Sequence, residues 1–328
     1  MIPPQLRRGT PCAPEKAVFV FPGQGSQFVG MGRDVYDSSP AARALFEQAD
    51  SILGTDITRL CFEGPEDELE LTYNAQPSIL TVSIAYLMAL RERANDLGRR
   101  LAPAFVAGHS MGEYSAAVAA EAMDFPEALG LVRERGRLMQ ESGNNRPGGM
   151  AAVIGLDIST LEAVVHRARE RGEIALANLN SPLQTVISGE VGALLRAMDL
   201  AKEAGARRVA RLKVSIASHS PLMQQAAVQL SECLASVHLR DPRIPIVANI
   251  TGQFLQSAGD IKRELGEQLC KPVQWTRSVL EMSTHGGHTF VELGPGQVLS
   301  GLIKRIDDSV QTLTYREVDV EAISVPLA

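Results

Sequence analysis

Ala104-Phe105-Val106-Ala107-Gly108-His109-Ser110-Met111-Gly112 opens the stretch on which the fold turns, and the small-residue run Glu113 to Ala122 completes it. A short apolar run leads straight into a serine bracketed by glycines, and helix-forming residues follow. Strand, sharp turn and helix in that order predict a βα unit of a mostly parallel sheet. Upstream, Ala17 to Phe21 is a second apolar run of strand length, ending in the turn-forming Pro22-Gly23-Gln24-Gly25. In a parallel sheet the loops at the carboxyl ends of strands gather at one edge, so these two loops are expected side by side. Helical patterns cover Pro40 to Leu53 and Pro77 to Arg93, where Ile79, Leu80, Ile84, Leu87 and Met88 fall on one face.

Downstream the rhythm changes. A helical pattern over Phe125 to Glu141 runs into Ser142-Gly143-Asn144-Asn145-Arg146-Pro147-Gly148-Gly149, the densest cluster of turn residues in the chain. Beyond it, strands are expected at Ala151–Ile154, Ile174–Asn178, Thr185–Ser188 and Arg207–Leu212. Helices are expected at Ser159–Glu170, with Ser159 as N-cap, and at Val191–Ala204. That β-α-β-β-α-β order is the ferredoxin-like pattern, which predicts an inserted subdomain over residues 144–211. Ile244–Ala248 and Thr289–Leu293 read as strands returning to the main sheet, so residues 17–143 and 212–328 form one discontinuous body. Residues 1–16, Pro-rich and without an apolar core segment, read as a flexible tail rather than a secretory signal.

Composition excludes several classes of function. With 45% hydrophobic and 21% charged residues over 328 positions, the chain has a globular rather than a disordered profile. The formal charge of −6, with both signs interleaved, argues against nucleic acid as a partner. No run approaches the ~20 apolar residues that a membrane helix needs. The four cysteines, Cys12, Cys61, Cys233 and Cys270, are far apart and form no CxxC pair, so neither a zinc site nor a disulfide framework is suggested, and the cytoplasm is the expected compartment.

The chemistry centres on Gly108-His109-Ser110-Met111-Gly112. A serine hydroxyl is a weak nucleophile and needs exposure, a nearby base and donors for the oxyanion. A G-x-S-x-G turn between strand and helix supplies the exposure, and the helix that starts near Gly112 aims free N–H groups at the same place. The plain alternative is an ordinary glycine-rich turn. Phe21-Pro22-Gly23-Gln24-Gly25-Ser26-Gln27 would supply the second oxyanion N–H. It lacks the G-x-x-x-x-G-K-[ST] of a nucleotide loop and the third glycine of a dinucleotide fingerprint.

FPGQGSQ, GHSMGEYSA, ANLNSPLQTVISG, SIASHSPLM, EQLCKPVQW and VELGPGQVLSGLIKRI follow one another along the chain. In that order they resemble the malonyl-CoA:acyl-carrier-protein transacylases and the acyltransferase domains of polyketide synthases, collinearly from about Val18 to Arg305. The resemblance implies an α/β fold, with an α/β-hydrolase-like parallel-sheet core and an inserted ferredoxin-like subdomain, and a ping-pong transfer through an acyl-serine. Carried over by motif, Ser110 is the nucleophile and His219 the base, oriented by a main-chain carbonyl supplied at Gln268. Gln24 and Met111 match the two oxyanion N–H positions, and Arg135 matches the arginine that pairs with the free carboxylate of malonyl. Gln76, Asn178, Asn180 and Val298 match pocket positions, with a turn residue as the alternative reading of the two asparagines. Ser218 closes Ile216-Ala217-Ser218, the tripeptide in which the chain departs from both common polyketide forms.

His285 and His288 compete with His219, because hydrolases of this fold usually take their histidine late in the chain. His109 is expected to point away from its neighbour Ser110, and His166 and His238 to be solvated. The implied partners are malonyl-CoA and an acyl carrier protein. Neither metal nor redox cofactor is implied. Rival readings are a trans-acting polyketide acyltransferase, an acyl-thioester hydrolase and a catalytically silent carrier-docking subunit. Carrier proteins of this kind are acidic, so Lys271, Arg277, Lys304 and Arg305 are candidates for a basic docking rim.

Overall fold

The computed structural model describes residues 16–327. The tail expected over residues 1–16 lies outside them except for Lys16, which opens the first strand. The strands are β1 (Lys16–Phe21), β2 (Arg99–Leu101), β3 (Phe105–Gly108), β4 (Gly148–Ile154), β5 (Ile174–Ser181) and β6 (Gln184–Glu190). They continue with β7 (Arg208–Arg211), β8 (Ile246–Val247), β9 (Phe254–Leu255), β10 (Gly287–Glu292), β11 (Gln311–Thr314) and β12 (Ser324–Pro326). The main sheet has the order β11-β10-β1-β3-β8-β9 and is parallel except for β9, which returns antiparallel to β8. The fold is therefore α/β with a parallel-sheet core. Among the described residues no helix is long and apolar enough to cross a membrane.

After the exposed Lys16, β1 is a continuous apolar run, as is β3, because helices cover both faces of the sheet. Alternate side chains enter different cores. Phe19 and Phe21 pack with Val106, Ile79 and Leu80 on one face, whereas Val18 and Val20 pack with Ala107, Trp275 and Phe290 on the other. A second sheet has the antiparallel order β5-β6-β4-β7, the ferredoxin-like arrangement. Its helices Ile158–Ala168 and Val191–Glu203 cover one face through Leu161, Val165, Leu194 and Ala197. Met150, Ala177 and Val186 face the other way, with Leu212 and Val214 against them.

β5 also ties the inserted sheet to the segment that precedes the helix Trp275–Thr284. Leu179 N–H donates to Val273 O at 2.8 Å and Val273 N–H to Ala177 O at 2.8 Å, a stretch of parallel pairing outside the four-stranded sheet.

Three local departures from the sequence reading have physical causes. The helix expected to begin at Pro77 begins at Thr72 and runs to Asp96 with Pro77 inside it. Proline removes the N–H that would have bonded to Tyr73 O, and Arg133 Nη1 donates to that carbonyl instead at 2.8 Å. The N-cap of the helix Ile158–Ala168 is Asp157 rather than Ser159; Asp157 accepts the Thr160 N–H at 2.8 Å, and the Ser159 hydroxyl donates to Asp157 at 2.6 Å. β5 continues through Asn178 and Asn180 to Ser181, so neither asparagine is a turn residue.

Candidate active site

The turn after β3 is a nucleophile elbow built by exclusion of side chains. A Cβ on Gly108 would meet Gly112 C at 1.9 Å, and one on Gly112 would meet Phe21 O at 2.1 Å. Only glycine lets the turn close against the end of β1. Ser110 pays with a left-handed backbone, φ 53°, at a cost of about 1–2 kcal/mol. His109 N–H bonds to Phe21 O at 3.0 Å, which seats the elbow beside the Pro22–Gly25 loop. The N–H groups of Gln24 and Met111 have no protein acceptor among the described residues. Two free donors beside a serine hydroxyl suit a developing oxyanion.

His219, 2% exposed, places Nε2 2.8 Å from Ser110 Oγ. Its Nδ1 lies 2.9 Å from Gln268 O and 3.1 Å from Lys271 O. A carbonyl can only accept, so Nδ1 carries the proton and Nε2 presents its lone pair to the serine hydroxyl. Burial, reinforced by the positive Arg135 nearby, pushes the imidazole pKa down to about 3, so the ring is neutral near pH 7. His219 too is left-handed, φ 58°. Strain at both partners is stored where the chemistry would occur.

Arg135 is 1% exposed on the helix Phe125–Asn145. Its Nη2 donates to Ser110 Oγ at 3.1 Å and to Gln268 Oε1 at 3.0 Å. Nη1 donates to Gln76 Oε1 at 2.9 Å, while Nε has no partner among the described residues. It makes no ion pair with any described carboxylate. Helical geometry separates it from its neighbours, since two residues rotate by about 200°. Arg133 turns to Tyr73 O and Asn74 Oδ1, and Arg137 pairs with Glu134 and Glu141 in solvent. Gly136 makes the approach possible, because a Cβ there would meet Thr72 O and Tyr73 Cα at 2.7 Å.

A cleft of about 340 Å³ opens over these groups, lined among others by Gln24, Ser110, Arg135, Asn178, Ser218 and His219. Gln76 and Gln268 lie fully buried behind it. Asn180 Oδ1 accepts from His109 Nε2 at 2.8 Å, so Asn180 holds the His109 ring rather than lining the cleft. Val298 is not brought in: it is 49% exposed at the start of the helix Val298–Ile306. Met150 and Lys213 line the cleft without any sequence signal. Asn249 and Glu113 hold the elbow from behind through contacts that the sequence does not signal, because Asn249 lies more than a hundred residues from both Ser110 and Glu113.

His285 and His288 fall at the wrong end of the sheet. His288 sits at the start of β10, whose other end, Glu292, pairs with Val20 near the loops. Four residue steps of strand separate the two by roughly 13 Å. His285 is exposed and bonded to Glu281 O at 2.8 Å. His166 and His238 are exposed. A larger cleft of about 460 Å³ lies at the amino ends of β3 and β8, lined by Phe19, Arg91, Pro103, Glu121 and Arg243 among others, and it holds no serine, cysteine or histidine.

The acyl transferase domain family model matches residues 18–322. The chain belongs to this family. The acyltransferase is 43% identical over 311 residues to the malonyl CoA-acyl carrier protein transacylase of Bacillus subtilis strain 168, covering 94% of this chain and 96% of that one. Among solved structures, the acyl-carrier-protein S-malonyltransferase of Burkholderia pseudomallei 1710b superposes with a TM-score of 0.88 at 40% identity, over 94% of this chain and 99% of that one. A malonyl-transacylase solved in complex with its type II polyketide synthase acyl-carrier protein gives 0.87 at 38% identity, over 94% and 99%.

Proposed function

We propose that this acyltransferase moves a malonyl group from malonyl-CoA to the phosphopantetheine thiol of an acyl carrier protein, supplying extender units for fatty-acid synthesis. The observation that carries the reading is Arg135: a buried guanidinium without a carboxylate partner, one amine of which rests on the Ser110 hydroxyl. Burying an unpaired charge is costly, and a ligand carboxylate would relieve it with two parallel donors. A substrate that carries a carboxylate one carbon from its thioester carbonyl would meet both Arg135 and Ser110.

In this mechanism Ser110 Oγ attacks the thioester carbon and gives its proton to His219 Nε2, while the N–H groups of Gln24 and Met111 hold the oxyanion. The tetrahedral intermediate collapses, the C–S bond breaks, and CoA leaves as the thiol with the proton from His219. The carrier thiol then passes its proton to His219 and attacks the acyl-serine, and Ser110 recovers the proton as it departs. Gln76 and Gln268 hold Arg135, Asn178 and Ser218 line the acyl pocket, and Asn180 acts through His109. Residues 17–143 and 212–328 form the catalytic body, residues 144–211 the inserted subdomain, and the cytoplasm is the compartment. Lys271, Arg277, Lys304 and Arg305 are all exposed and make no ion pair with a described carboxylate, which suits docking of an acidic carrier.

Intact-protein mass spectrometry after brief mixing with malonyl-CoA, methylmalonyl-CoA or acetyl-CoA tests the reading. A malonyl adduct on the wild type and none on Ser110→Ala is the expected result. CoA release without an adduct would favour a thioester hydrolase. Failure of every donor to label the protein or release CoA would favour a silent docking subunit. Transfer to a polyketide carrier in preference to a fatty-acid carrier would move the enzyme to the polyketide reading.

A further inference from the structure

Both peptide groups of Ser110 are gripped by buried side-chain amides. Asn249, 1% exposed and two residues beyond β8, accepts the Ser110 N–H on Oδ1 at 2.7 Å and donates Nδ2 to Gly108 O at 2.7 Å. Gln268 donates Nε2 to Ser110 O at 3.1 Å and accepts from Arg135 Nη2 on Oε1. An N–H only donates and a carbonyl only accepts, so these partners dictate which end of each amide is oxygen.

One carboxyl joins the two amides. Glu113, 1% exposed in the first turn of the helix Gly112–Ala119, accepts the Asn249 main-chain N–H on Oε1 at 3.1 Å and the Gln268 amide on Oε2. Glu264 stands beside it, accepting the Ile250 N–H at 2.8 Å. Burial of both carboxyls raises their pKa values, Glu264 to about 7. Neither carboxyl reaches the cleft.

We propose that Glu113 is a positioning residue: through Asn249 it locks Ser110 in its left-handed conformation, and through Gln268 it fixes Arg135 against the serine. The proposal rests on Ser110 being the acylated nucleophile. A residue held against its backbone preference relaxes when the grip is lost, which moves Oγ relative to His219 Nε2 and to the two oxyanion donors. Displacements of about 1 Å at such a centre cost on the order of a hundredfold in rate. The grip on Ser110 acts on every donor alike, whereas the grip on Arg135 acts only on a donor that has a free carboxylate.

The test is single-turnover acylation by malonyl-CoA and acetyl-CoA, followed by intact mass, on the wild type, Asn249→Ala and Glu113→Gln. Asn249→Ala is expected to lower the saturating rate constant roughly 10- to 100-fold for both donors, with the half-saturating concentration unmoved. Glu113→Gln keeps the shape but turns one acceptor into a donor facing an N–H. It is expected to slow acylation and also to narrow the malonyl preference by roughly threefold or more. Folded variants that acylate at the wild-type rate would overturn the positioning role. So would a loss that tracks only the fraction of folded protein, measured by thermal melting, with the rate constant unchanged. If Asn249→Ala does not fold, the near-isosteric Glu113→Gln decides alone. A wild type that takes no malonyl group would overturn the proposed function and the positioning role with it.

Discussion

The parallel sheet carries a cleft at each end, and the two differ in size and in lining. At the amino ends the larger hollow, about 460 Å³, is lined by Arg243, which pairs with Glu121 at 3.1 Å, by Arg91, which donates to Ala119 O at 3.3 Å, and by Arg100, which is exposed to solvent. At the carboxyl ends the smaller one, about 340 Å³, holds Arg135 without an ion-pair partner among the described residues, a serine on a left-handed backbone and a histidine held in its neutral form. Size is therefore a poor guide. Backbone strain does not separate the ends either, since Glu121, at φ 58°, lines the amino-end cleft; what separates them is a fully buried guanidinium without an ion-pair partner beside a hydrogen-bonded serine and histidine.

The comparison breaks most visibly at the base. His219→Ala should lower acyl-serine formation by about 10⁴-fold or more, read by single-turnover mass spectrometry, because no other described histidine reaches Ser110. Next in size, Arg135→Ala should reduce the rate ratio of malonyl-CoA to acetyl-CoA by about 10- to 150-fold, the equivalent of a charged hydrogen bond of ~1.5–3 kcal/mol.

The third effect is on stability. Folded His219 refuses a proton until about pH 3, while in the unfolded chain it titrates near its ordinary 6.5. Its contribution is complete above pH 6.5 and is lost as pH falls toward 3, at about 1.4 kcal/mol per unit. Melting temperatures of the wild type and of His219→Asn should therefore converge as pH drops through that window. The smallest effect is expected at the other end of the sheet: Arg243→Ala and His288→Ala should each leave the acylation rate within about twofold of the wild type. A large loss there would mean that the amino-end cleft takes part after all.

The elbow is legible in the sequence because its signal is contiguous: an apolar run, two glycines that bracket a serine, then small helical residues. Arg135 is not separable from Arg133 and Arg137 by composition. What separates them is helical rotation and the close pass at Gly136, which become visible only once the helix Thr72–Asp96 is in place. Val298 and Asn180 show the converse, since motif position alone puts them in the pocket whereas packing puts one at the surface and the other on His109. Pro77 misleads because the rule for proline at a helix start holds unless a side chain satisfies the orphaned carbonyl, and Arg133 comes from sixty residues away to do so. Asn249 carries no local pattern, and Glu113, though it lies within GHSMGEYSA, reads there only as the start of a helix. Their meaning lies in hydrogen bonds to residues 139 and 136 positions distant.

The pairing of β5 with Val273 limits how the molecule can move. The inserted sheet is stitched by two main-chain hydrogen bonds, and by the Thr276 hydroxyl to Leu179 O at 3.0 Å, to the same segment whose Lys271 carbonyl faces the histidine ring. To swing as a lid it would have to unpick those stitches and drag the base out of register. The mouth over the serine is thus a doorway without a door, the same for a nucleotide thioester arriving and for a protein-borne thiol that follows it. On the proposed mechanism, acyl donors are sorted there by what each offers the arginine inside.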